Sequence, residues 1–174
     1  MAVTQQLARV PAEYLAACRQ SAGASPDGDH GWDPPEADTL DLDWAPNLLR
    51  RVCELADLDE AYTRALRQAT DGDAAIDLAF LGIPPHDIAP FDATPTALSE
   101  ARVARVADLL DQIDFPAILA GLPRNERKAA RLIGHGASEI IGGPRAYLRP
   151  HFEALRVFYR GAAQRGLLVV LWWD

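Results

Sequence analysis

Apolar positions along this chain fall into helical stripes that lead to one greasy strand. Leu148, Phe152, Leu155, Tyr159 and Ala162 recur at three-and-four spacing, which predicts a helix from Tyr147 buried along one face. Gly166 supplies the stop, because a residue without a Cβ takes the left-handed conformation that closes a helix. The unbroken apolar run Leu167 to Trp173 is too short for another helix and rich in strand formers, so a strand inside a sheet is predicted there.

Earlier segments give the remaining elements. Val3 to Val10 predicts a first strand, and Pro11 opens a helix with an apolar side of Tyr14, Leu15 and Cys18 that ends near Gly23. From Ser21 to Asp41 the chain offers turn residues and almost nothing to bury, so a long acidic surface loop is expected over 21–41. A helix carrying Trp44, Leu48, Val52 and Leu55 should follow Asp43, with Pro46 in its first turn. Asp57 and Glu60 match a capping box that opens a second helix through Leu58, Tyr62, Leu66 and Ala69, stopped at Gly72. The stretch Ala74 to Gly82 reads as a short strand or a single turn, and prolines at 84, 85, 90 and 95 keep the next residues irregular or extended. Ser99 is expected to cap a helix with Val103, Val106, Leu110 and Ile113 on its buried stripe. Asp114 should cap a short helix with Pro116 in its first turn, and a further helix is expected around Arg124 to Ile133. The prediction is a single α+β domain over 1–174: a small mixed sheet that includes the C-terminal strand, covered by about six helices.

Composition sharpens the picture in two places. No apolar run approaches the ~20 residues that cross a bilayer and the start has no signal-peptide pattern, so a cytoplasmic protein without membrane contact is expected. Cys18 and Cys53 share no CxxC spacing and read as inert buried thiols. The net charge of −8 is unevenly placed. Asp27 to Glu60 holds eleven acidic residues against Arg50 and Arg51, a balance of −9, whereas Arg124 to Arg165 holds nine basic against three acidic, a balance of +6. Either the acidic segment presents a face to a charged partner or the two segments compensate each other.

Motifs for chemistry are thin. Asp27, Asp29, Gly31 and Asp33 alternate like a calcium loop, but Trp32 stands where the turn glycine is needed and Asp38 where a bidentate glutamate is needed. His30, His86, His135 and His151 lack any metal-binding spacing, and no GxSxG elbow or phosphate loop is present. His135, between Gly134 and Gly136, is the most accessible candidate. No catalytic residue, metal or cofactor is assigned.

The ending from His151 to Gly166 followed by an apolar strand resembles the C-terminal signature of the YfbM-like family, a bacterial domain family. Leu40-Asp41-Leu42-Asp43 resembles that family's acidic helix entry, and Pro95 to Ser99 leading into Val103 to Asp114 resembles its proline-to-helix passage. Pro46-Asn47 stands where the family shows Trp-His, with a tryptophan displaced to Trp44, and Gly134-His135-Gly136 replaces an Ile-Tyr-Pro type motif. The resemblance implies a compact α+β domain and no established reaction.

The functional expectation is a non-enzymatic interaction protein, in its most concrete form an immunity-like neutraliser of a basic partner, where complementary fields would speed association. Its candidate binding residues are Asp38, Asp41, Asp43, Trp44 and His135. The alternative is a small hydrolase or ligand-binding enzyme with its site near His135. The acidic total and the absence of an RNP, zinc-finger or clear helix-turn-helix pattern argue against nucleic acid.

Overall fold

A computed structural model describes residues 4–82, 94–134 and 136–173. The chain is α+β, with strands β1 (Gln5–Val10), β2 (Thr39–Asp41), β3 (Thr96–Leu98) and β4 (Leu168–Trp173). The helices are α1 (Ala12–Ala24), α2 (Ala45–Leu55), α3 (Glu60–Asp71), α4 (Glu100–Asp111), α5 (Phe115–Ala120), α6 (Glu126–Ile133) and α7 (Pro144–Gln164). The strands form one sheet in the order β2-β1-β4-β3. Every pairing is antiparallel, where a mixed sheet was expected, because each connection returns the chain to a neighbouring strand from the opposite end.

Strand periodicity sorts the sheet's side chains onto two faces. Leu7 lies opposite Leu171 and shares its face with Val169 and Leu98, the side covered by the six helices α2 to α7. Ala8 and Val10 lie opposite Val170 and Leu168, and with Ala97 they face α1 and the segments around Trp32 and Phe80. β4 is thus buried on both faces, which explains why its sequence shows no alternation.

α7 buries Leu148, Phe152, Leu155, Tyr159 and Ala162 as its stripe predicts. Phe152 stacks on Phe115 of α5 at a 4.2 Å centroid distance, and the Tyr159 hydroxyl donates to the Ala69 carbonyl at 3.0 Å. Leu167 N–H reaches the Ala162 carbonyl at 2.9 Å while Gly166, at φ +62°, turns the chain into β4. The short 3₁₀ turn Ala79–Gly82 settles the ambiguous stretch before the prolines, most of which lie outside the described residues.

Three expectations are corrected. The loop expected over 21–41 is narrowed to 25–35, since α1 runs to Ala24, Glu36–Asp38 is a 3₁₀ turn and Thr39–Asp41 is a strand. Between them His30 is buried, and Trp32 packs 5.8 Å from both Tyr14 and Trp172, covering the sheet's second face. The cap of α3 is Asp59, which accepts from Ala61 N–H, and not Asp57. Asp57 instead closes α2 in the left-handed conformation at φ +52°, with Leu58 N–H reaching back to the Cys53 carbonyl. Ser99 occupies the position before α4 but makes no capping bond there.

Candidate functional site

The chain leaves β2 through Asp41, Leu42 and Asp43 and enters α2 at Trp44. Leu42 is fully buried and its N–H bonds to the Gln5 carbonyl, which pins the turn to β1. Asp43 is held at φ +50°, a region that Asp and Asn tolerate better than other side chains, and Asp41 Oδ1 accepts its N–H at 2.7 Å. The phenol of Tyr147, from the first turns of α7, completes the lock. It donates to Asp43 Oδ2 at 2.9 Å and accepts from Trp44 N–H at 3.1 Å. Burial raises the Tyr147 pKa and its bond to Asp43 raises it further, so the phenol stays a donor.

This lock presents the Trp44 indole outward, 57 % exposed. Facing it across a groove of about 670 Å³ is the loop after α6, with Glu139, Ile140 and a fully exposed Ile141. Asp43 and Glu139 are the charged groups among the described lining residues, and no cation pairs with either of them or with Asp41 there. The geometry suits binding: an apolar rim, carboxylates with free capacity and a rigid entry turn.

The sequence candidates divide accordingly. Asp43 and Trp44 line the groove, and Asp41 supports it from an exposed position while accepting from Thr4 Oγ1 at 3.3 Å. Asp38 lies elsewhere and is committed within the fold: Arg165 pairs with it, and Arg9 Nε sits 2.8 Å from Oδ1. Those bonds, the Arg165 contact foremost, hold its pKa down to about 2. Arg165 to Asp38 joins the basic C-terminal segment to the acidic one, whereas Arg145, Arg156 and Arg160 pair with Glu126, Glu153 and Asp111. His135 lies outside the described residues, as does His86. Glu139, Ile141 and Tyr147 were missed; the one signal was the apolar pair Ile140-Ile141 in a glycine-rich turn.

Among the described residues no group of three His, Cys, Asp or Glu side chains could hold a metal ion. The alternating aspartates bond locally, Asp29 Oδ1 accepting Gly31 N–H and Asp33 N–H donating to the Tyr14 hydroxyl. Cys18 and Cys53 are buried free thiols, and burial pushes the Cys53 thiol up to about 12. Among the described residues no helix is long and apolar enough to cross a membrane. Compared with family models, with curated proteins and with solved structures, the chain matches none.

Proposed function

We propose that the chain is a non-enzymatic protein-interaction domain that docks a basic partner on the groove between Trp44 and Ile141. The observation that carries this reading is the pairing of chemistry at one place. Two of the four exposed large hydrophobic residues among those described flank a groove whose described charged groups are all carboxylates. Aromatic and aliphatic anchors surrounded by charge of one sign are what a complementary surface engages. A second groove of about 520 Å³, between α2 and α5, has no charged or polar side chain among its described lining residues and offers no such selectivity. An immunity-like neutraliser of a basic protein in the cytoplasm is the most specific form of the proposal. Membership of the YfbM-like family is likewise a proposal, resting on the residues quoted above.

The test is co-purification from the source cell followed by binding kinetics with the captured partner. Trp44→Ala should weaken the complex at least tenfold, as central aromatic anchors do. Asp43→Asn with Glu139→Gln should slow association at low salt and flatten its salt dependence. Asn suits the left-handed position, so this pair leaves the turn intact. An acidic partner, or a complex indifferent to Trp44→Ala, would sink the proposal.

A further inference from the structure

On another surface, the cleft between α3 and α4 has the opposite character. It encloses about 500 Å³ and takes Arg64 and Gln68 from α3 and Arg102 and Arg105 from α4, and no carboxylate is among its described lining residues. Its remaining walls include Ala61, Ala65 and Ala101, whose short side chains leave the space that the arginines surround. In a chain of net charge −8, three guanidinium groups around one cleft form a local exception.

Two of the three arginines are steadied by their own partners. Arg64 pairs with Glu60 one turn away, and Arg102 Nε lies 3.0 Å from Asp73 Oδ2. A guanidinium carries five N–H groups in a planar fork, so one ion pair leaves donors over. Among the described residues Arg105 makes no hydrogen bond or ion pair, and neither does the Gln68 side chain. The open donors therefore face a space whose volume lies within the usual range for small-ligand sites.

We infer that this cleft binds a small oxyanion bearing at least two negative charges, a phosphate or carboxylate compound, with Arg105 as its principal contact. Forked guanidinium donors match both kinds of oxyanion, and charge-assisted bonds to them are roughly twice as strong as neutral ones. Gln68 would add a neutral amide donor, and Arg64 and Arg102 would flank the ligand from either helix. The inference is independent of the Trp44 groove.

Calorimetric titration of the full chain with pyrophosphate and with citrate, against sodium chloride at matched ionic strength, tests it. At least one of the two should bind with a Kd below about 1 mM, given two charge-assisted contacts. Arg105→Ala should weaken that binding at least tenfold, and Gln68→Ala should weaken it by a smaller factor. Arg149→Ala, an exposed arginine on α7 outside the cleft, should leave it unchanged. Pyrophosphate alone identifies a phosphate-type ligand and citrate alone a carboxylate-type one. Binding of neither, or binding that survives Arg105→Ala or is equally lost in Arg149→Ala, overturns the inference.

Discussion

Asp38→Asn is the most informative single change in the fold, because it removes one charge and almost no volume. Asp38 stands between two cations: Arg9, itself 19 % exposed at its side chain, and Arg165, half exposed. Arg9 also donates to the Ala37 carbonyl at 3.1 Å and lies 5.1 Å from the Phe158 ring centroid, so it cannot swing into water without giving up those contacts. Breaking a fully buried pair costs about 3–5 kcal/mol and an exposed one about 0–1 kcal/mol. This intermediate site should cost about 2 kcal/mol at pH 7. The pH dependence gives an independent measure. The carboxyl titrates at about 2 in the fold and at about 3.9 when unfolded. A depressed folded value means that the stabilisation is complete above the unfolded value and is lost as pH falls from about 4 toward 2. The full shift would correspond to roughly 2.5 kcal/mol, and screening at the exposed Arg165 reduces it to about 1–2 kcal/mol. Urea unfolding followed by tryptophan fluorescence, at pH 7, 5, 3.5 and 2.5, should therefore show a constant gap between parent and variant at the two higher values. The gap should shrink at 3.5 and fall to about a third of its full size at 2.5. No gap at pH 7, or one that persists undiminished at pH 2.5, would refute the reasoning.

Removing residues 167–174 should abolish cooperative unfolding, since Leu167 to Leu171 are all buried and at about 1.5–3 kcal/mol each they match a typical total stability of about 5–15 kcal/mol; circular dichroism on heating reads this. Tyr147→Phe should cost about 1–2 kcal/mol by stripping Asp43 of a donor and Trp44 N–H of its acceptor, and the chemical-denaturation midpoint should fall with no change in its slope. Gly72→Ala should cost more than 1 kcal/mol, because φ is +64° and the new Cβ would lie 2.8 Å from Thr96 Cβ; an unchanged melting temperature would contradict this. A thiol-reactive dye at pH 8 should label neither cysteine in the native protein and both after denaturation, as Cys53 is buried with its thiol at about 12 and burial also raises Cys18.

Legibility in the sequence tracked the range of the forces involved. The α7 stripe and the β4 run are long and locally consistent, so periodicity and the Gly166 stop were enough. β2 and β3 have three residues each, too few for any period, and exist because β1 and β4 offer partners. Asp57 and Asp59 are chemically identical candidates for one cap. The choice between them follows from the closure of α2, where Leu58 N–H binds the Cys53 carbonyl. Trp32 sat among turn residues and was hidden until Tyr14 and Trp172 closed around it. The acidic entry at Asp41, Asp43 and Trp44 was visible as composition. Its complement, Glu139, Ile141 and Tyr147, arrives from about a hundred residues away, so nothing local could announce it.

The pairing of Val10 with Leu168 has a consequence for how the protein is made. β1 is synthesised first among the strands, and its principal neighbour about 160 residues later. At the usual ~5–20 residues per second, that leaves β1 without β4 for roughly 8–30 s. Throughout that interval Leu7, Ala8 and Val10 lack the strand that buries them, and β2, with three residues, can pair only part of β1. The sheet therefore closes after translation has passed its last strand.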